Sequence, residues 1–224
     1  MNLIFLGAPG SGKGTQAAIL AKELAIPAIS TGEALRKEVE QKSQIGVIAK
    51  SYMESGKLVP DQVVVDIIKN RIATSDCKNG FILDGFPRNM DQALVLENML
   101  NSVNKKIKIV FNFEVSEDVL IKRIAGRFSC KNCGAVYNRY FKTPVVEGVC
   151  DSCQSNNFES RADDNAETVK NRLKVYHEST FELIDFYKKK NLLISVDALK
   201  SAPLVSEELI YAITKFSNEI VKSE

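Results

Sequence analysis

The sequence is short of net charge, of long apolar runs and of histidine, and each shortage removes a class of function. Thirty basic residues stand against 28 acidic ones, a formal charge of +2. No global field therefore draws the chain to nucleic acid or to an anionic membrane, and any basic site must be a local arrangement. No stretch approaches the ~18 apolar residues that would suggest a membrane span, and Met1 leads almost at once into the apolar Leu3–Leu6. Neither a secretory leader nor a membrane anchor is expected, and the default compartment is the cytoplasm. The single histidine, His177, falls mid-helix and apart from every motif described below, so it reads as a surface or packing residue. Internal repeats and low-complexity tracts are missing too.

What is present is the material of an α/β protein. At 224 residues, 45% hydrophobic and 26% charged, the chain can build one sizeable core with insertions or two small domains. Short β-branched or aromatic runs at Leu3–Leu6, Ala28–Ile29, Phe81–Leu83, Ile107–Phe111 and Leu192–Val196 read as buried strands. Helical patterns lie between them at Lys13–Leu24, Ala34–Gln41, Asp61–Ala73, Asp91–Asn101 and Val119–Ile124, with a long one over Asp164–Lys188 and a last one over Ser206–Val221. Such alternation predicts a parallel sheet with helices on both faces. Residues ~30–60 and ~128–160 interrupt the alternation and read as insertions carried by the core.

Gly7-Ala8-Pro9-Gly10-Ser11-Gly12-Lys13-Gly14-Thr15 joins the first strand to the first helix. Glycines let the backbone curl around phosphate with its N–H groups inward, the helix start adds free donors and a positive dipole end, and Lys13 brings a charge to the β/γ-phosphates. The stricter pattern has Ser or Thr directly after the lysine. Here Gly14 intervenes and Thr15 comes one place later, so Mg²⁺ is expected to be held mainly by phosphates and water. The loop taken alone fits hydrolases, switches and kinases equally. A second informative segment is Phe81-Ile82-Leu83-Asp84-Gly85-Phe86-Pro87-Arg88. In a parallel sheet the carboxyl ends of the strands border the ligand crevice, which aims Asp84 and Arg88 at the phosphates. Asp84 suits a water-bridged Mg²⁺ and Arg88 a bidentate phosphate clamp.

Cys130-x-x-Cys133 and Cys150-x-x-Cys153, sixteen residues apart, have the spacing of a closed four-thiolate zinc site, which is structural because no coordination position is left open. Two disulfides, metal-free thiols and an iron site are the alternatives. Cys77 has no partner motif.

Together the segments GAPGSGKGT, STGEALR (Ser30–Arg36), GKLVPD (Gly56–Asp61), FILDGFPR and RADDN (Arg161–Asn165) resemble, in order and spacing, those of adenylate kinases of the long-lid form with a zinc-binding lid. The resemblance covers essentially the whole chain. It implies a nucleoside monophosphate kinase fold of the phosphate-loop type: a five-stranded parallel sheet, with residues 1–29, 60–127 and 161–224 as core, 30–59 as the AMP-binding domain and 128–160 as the lid. It implies transfer of the terminal phosphoryl group of ATP to AMP, with Mg²⁺, in a monomer that binds neither nucleic acid nor membrane. Carried over by position, Thr31, Arg36, Lys57, Val59, Gly85, Arg88 and Gln92 would hold AMP, joined by Arg161 and Arg172 at the transferring phosphate. Gly10, Ser11, Gly12, Lys13, Gly14, Thr15, Arg127, Tyr137 and Lys200 would hold ATP. Lys13, Asp84, Arg88, Arg123, Arg161 and Arg172 would serve the transfer itself.

Arg123 and Arg127 are four apart and are expected on one helix face, as a clamp or as a plain amphipathic surface. Three positions depart from the family: Glu33 for a usual aspartate, Phe128 for a second arginine after Arg127, and Ala198 for a glycine near the adenine of ATP. The acceptor phosphate, mostly dianionic at neutral pH, needs no base to attack, in keeping with the lack of a histidine near any motif. Gln92 could read adenine through one donor and one acceptor, whereas Asn89 is similar to its counterpart in pyrimidine monophosphate kinases. A non-catalytic nucleotide sensor on the same fold is the reading from another class.

Overall fold

The computed structural model describes residues 1–221. Five parallel strands, β1 (Asn2–Gly7), β2 (Ala28–Ser30), β3 (Phe81–Asp84), β4 (Ile109–Glu114) and β8 (Leu193–Asp197), form a sheet in the order β2-β3-β1-β4-β8. Alternation along β1 divides the core. Leu3 and Phe5 face α1 (Lys13–Glu23) and α9 (Ala202–Val221), while Ile4 and Leu6 face α4 (Asp61–Ile72), α5 (Met90–Asn101) and α8 (Glu182–Lys189). Side chains such as Phe5, Phe81 and Phe111 are wholly buried, each stabilising the fold by about 1.5–3 kcal/mol relative to exposure. No helix among the described residues is long and apolar enough to cross a membrane.

Two units stand out from this core. Between β2 and α4 run α2 (Thr31–Glu40) and α3 (Gln44–Glu54), packed on one another. After α6 (Glu117–Ala125) come β5 (Arg127–Cys130), β6 (Val136–Asn138) and β7 (Phe158–Glu159), a separate antiparallel sheet in the order β6-β5-β7. Phe128, Tyr137 and Phe158 pack ring on ring in its small core, with centroids 5.4–5.7 Å apart.

Several expectations shift. β4 starts at Ile109 rather than Ile107, because its ladder with β1 begins at the Leu3–Ile109 pair. α9 starts at Ala202, four residues early, with Pro203 in its first turn, where a missing N–H costs little. The long helix is α7 (Ala166–Val175) and α8 joined by a π-helical turn, Tyr176–Thr180. The apolar spacing of three and four hid the extra residue in that turn. His177 lies on it, exposed, beside Tyr176 and Phe181.

Candidate active site

Four helices near the crevice have their first turns capped by a side chain: Ser30, Ser43, Asn89 and Asn165 each accept a main-chain N–H of the helix they begin. Helix α1 has no such cap. It begins at Gly12 with φ +98°, a left-handed conformation that favours glycine, and its first turn holds no acid. Its free N–H groups and positive dipole end are thereby left for an anion. Lys13 folds back over the loop and donates to Gly7 O at 2.7 Å, Ala8 O at 2.8 Å and Ser11 Oγ at 3.2 Å. At Gly14 a Cβ would stand 3.3 Å from Asp84 Oδ2, so a side chain there would press on the carboxylate. Thr15, one residue on, is exposed.

Around this loop the fold gathers cations. Burial, followed by Arg172, pushes Arg88 down to about 10, and burial with Arg127 and Arg36 does the same to Arg161. Burial lowers Arg172 and Arg123 as well. Lys13 falls to about 8: desolvation dominates and Arg88, Arg172 and Arg127 add to it, against the pull of Asp84. So many positive groups held together out of water are poised for a polyanion. The counter-charges are few. Arg127 grips Asp164 through Nε at 2.8 Å and Nη2 at 2.5 Å, and Arg172 reaches Asp163 at 2.9 Å and Asp164 at 3.3 Å. Arg161 and Arg36 have no ion pair among the described residues.

A cavity opens between α2–α3 and the core. Thr31, Arg36, Lys57, Val59, Arg88, Gln92 and Arg172 line it. Gly85 does not line it but braces two residues that do: its carbonyl accepts from Thr31 Oγ1 (2.9 Å) and Arg88 Nε (2.8 Å). Arg161 does not line it. Leu35, Met53, Val64 and Asp163 do, and sequence reasoning passed over all four. The only signal of Leu35, Met53 and Val64 was the apolar face of α2, α3 and α4, which cannot be told from ordinary packing before the helices are assembled, whereas Asp163 lay within the RADDN segment. Its lining combines apolar side chains (Leu35, Met53, Val59, Val64) with cations (Arg36, Lys57, Arg88, Arg172), a mixture suited to a base with a phosphate.

Other expected residues take different places. Arg123 and Arg127 do not share a helix face. α6 stops at Ala125, and Gly126 lies where a Cβ would be 2.7 Å from Tyr140 and 2.8 Å from Asn138, so the chain leaves the helix and Arg127 opens β5. Arg123 Nη2 donates to Ala198 O at 2.8 Å, tying α6 to the turn after β8. Tyr137 is 2% exposed. Its ring is in the core of the small sheet, and its hydroxyl donates to Cys150 Sγ (3.4 Å) while accepting Asp151 N–H (2.8 Å). The side chain of Tyr137 is therefore turned away from the crevice, which leaves only its main chain to meet a nucleotide. Lys200 is exposed and paired with Glu208. Phe128, where a second arginine was expected, supplies core to the small sheet. Asn89 is a cap, accepting Gln92 N–H at 2.8 Å.

The four lid cysteines are free thiols whose Sγ atoms all lie within 4.8 Å of one another. Two of the gaps, Cys130–Cys153 and Cys133–Cys150, are 3.5 Å each, close to the ~3.8 Å edge of a tetrahedron with 2.3 Å zinc–sulfur bonds. The hydrogen bond from Tyr137 pulls the Cys150 thiol below its usual range, toward the thiolate that a metal needs. Chemistry and spacing of the donors both fit a structural zinc. Cys77 is buried apart from them, against Arg71 and Thr74.

Comparison with known proteins agrees with this geometry. A family model described as adenylate kinase matches residues 5–192. A protein named adenylate kinase from Methanosarcina barkeri is 48% identical over 217 residues, 97% of this chain and all of that protein. Those of Caldicellulosiruptor bescii and Enterococcus faecalis are each 47% identical, covering 95% and 93% of this chain and 99% and 97% of their own lengths. With such matches along nearly its full length, set on a five-stranded parallel sheet, a glycine-rich phosphate loop and a four-cysteine cluster, the chain belongs to the adenylate kinase family.

Proposed function

We propose that the loop at the start of α1 holds the triphosphate of ATP, that the cavity under α2–α3 holds AMP, and that the cationic cluster between them carries the phosphoryl group across. The chain is an ATP:AMP phosphotransferase, forming two ADP reversibly. One observation supports the residue assignment above others. An uncapped helix N-terminus and a cavity lined by Arg88 and Arg172 share one group of cations, since the charges of those two arginines bear on Lys13 at the start of that helix. Two nucleotides can thus meet phosphate to phosphate.

The attacking oxygen of AMP is already anionic, so the residues need only align the phosphates, spread the charge of the transition state and keep water away. Lys13 and Arg88 are assigned to the transferring group, with Arg123 beside the loop and Arg161 and Arg172 reaching it from the lid side. Gly10, Ser11, Gly12, Gly14 and Thr15 cradle the donor. Mg²⁺ bound with ATP neutralises phosphate charge, and Asp84 is the carboxylate placed to orient its water shell. Residues 30–59 and 128–160 act as covers that exclude water, the competing acceptor, and zinc holds the second in shape. We assign the protein to the cytoplasm as a monomer.

A phosphorylation assay with ATP and AMP, CMP, UMP or GMP tests the acceptor. AMP is expected to be strongly preferred. Preference for UMP or CMP overturns the assignment, and ATP binding with no transfer to any of them identifies a sensor.

The depressed Lys13 yields a second test. A triphosphate beside the amine restores its proton, so ATP binding is expected to take up a proton above about pH 8 and to weaken as pH rises through that value. The terminal phosphate, with a second pKa near 6, is already fully ionised there. Calorimetry at pH 8.5 in two buffers of different ionisation heat should give different binding enthalpies, and Lys13→Met should remove the difference. Equal heats in the wild-type protein contradict the prediction. The same shift makes the empty protein gain stability between about pH 8 and 10.5, where the unfolded chain keeps the proton that the folded chain has lost.

A further inference from the structure

Gln92, 2% exposed at the wall of the acceptor cavity, has its side-chain amide held at both ends. Oε1 accepts the main-chain N–H of Arg88 at 2.8 Å, and Nε2 donates to Asp61 Oδ1 at 2.6 Å. A peptide N–H can only donate and a carboxylate can only accept. Turning the amide by 180° would therefore set donor against donor at one end and acceptor against acceptor at the other. Asp61 is held in its turn, since Asn89 Nδ2 stands 3.1 Å from each of its oxygens. Asn89 is fixed as well, because its Oδ1 accepts Gln92 N–H at 2.8 Å. The ring of contacts runs from Gln92 N through Asn89 and Asp61 back to the Gln92 amide, and no member of it can flip alone.

What remains free on Gln92 is one Nε2 hydrogen and one Oε1 lone pair, side by side and in a set order. A 6-aminopurine presents an acceptor (N1) beside a donor (the 6-amino group) and matches that order. A 6-oxopurine of the same shape presents the reverse, a donor at N1 and an acceptor at O6. A freely turning amide would serve both. A locked one pairs with the first and sets like against like with the second. We propose that Asp61 is a positioning residue for acceptor specificity: it locks the Gln92 amide in the orientation that reads a 6-amino base and rejects a 6-oxo base. This rests on the proposed placement of the AMP base in this cavity.

The test compares kcat/KM for AMP and for IMP, which differ in this edge, in the wild-type protein and in Asp61→Asn. Asparagine keeps the shape but can donate as well as accept, so it removes the lock at the Nε2 end and leaves only the Arg88 N–H to oppose a turned amide. The AMP-over-IMP ratio is expected to fall about tenfold or more, the effect of one misdirected buried hydrogen bond, with KM for ATP within twofold of wild type. A purely structural role would lower both activities together and leave the ratio alone, which would overturn the proposal. Should Asp61→Asn fail to fold, Asn89→Ser carries the test. It keeps a capping oxygen and removes the tether on Asp61, and the ratio is expected to fall at least threefold, an unchanged ratio again overturning the proposal. A wild-type protein that uses AMP and IMP equally refutes the placement of the base itself, a result distinct from the others.

Discussion

Replacing Arg88 with alanine is expected to slow turnover about 10²–10³-fold, the usual cost of one preorganised donor to a transferring group, roughly 2.7–4 kcal/mol. The size follows from how the side chain is held. Arg88 Nε is spent on Gly85 O, which also receives Thr31, and the Arg88 carbonyl accepts Thr180 Oγ1 at 2.7 Å. The guanidinium is thus set in place before substrate arrives, with its outer nitrogens left for phosphate. Burial and the neighbouring Arg172 lower it only to about 10, so it keeps its charge at neutral pH. Alanine removes that charge and the fork together. The main-chain N–H that holds Gln92 survives, so acceptor specificity should persist while kcat collapses. Arg88→Lys is expected to recover only part of the rate, because a single ammonium cannot offer two parallel donors. Steady-state kcat for ADP formation, alongside circular dichroism to show an intact fold, makes the measurement. A kcat within about fivefold of wild type, far below the cost of such a donor, would remove Arg88 from the transfer.

The second large effect is expected on the lid. Purified protein should carry one zinc per chain, and either Cys150→Ser or chelation should unfold residues 128–160 well before the core. The buried side chains there are Cys130, Tyr137 and Cys150, with Phe128, Phe158, Ala135 and Cys153 packed against them. A unit of about thirty residues with so little core does not hold its shape unaided. A four-cysteine zinc site in small peptides is worth about 10–16 kcal/mol of apparent folding free energy, enough to decide whether this sheet exists. Scanning calorimetry of chelated protein should show a low-temperature transition for the lid, followed by that of the five-stranded core. Turnover should fall with the lid, because Arg127, which opens β5, is one of the cations whose charge bears on Lys13. Metal-free protein that melts in a single, unshifted transition and keeps full activity would sink the zinc site.

The sequence alone was enough for features whose causes are local or periodic. The phosphate loop was legible because glycine spacing, a preceding strand and a following helix occupy one short stretch. The parallel sheet was legible because strands buried on both faces read as short unbroken apolar runs. The cysteines were legible because the geometry of a knuckle fixes their spacing. Tertiary structure was required wherever a side chain had more than one possible partner. Asp61 closed the GKLVPD segment without a visible task, since its partners Asn89 and Gln92 lie 28 and 31 residues away. Arg123 and Arg127 had helical spacing, and only the turn at Gly126 separated them. Tyr137 could have faced the crevice or the lid interior. The need to fill a small core and support Cys150 turned it inward. A π-helical turn was invisible because one extra residue leaves the apolar spacing nearly unchanged. The sequence thus determined what the chain binds and the framework that binds it, since backbone curvature and apolar periodicity are written residue by residue. Only the assembled fold decided which polar groups hold one another, because pairing of charges and amides depends on distances between segments far apart along the chain.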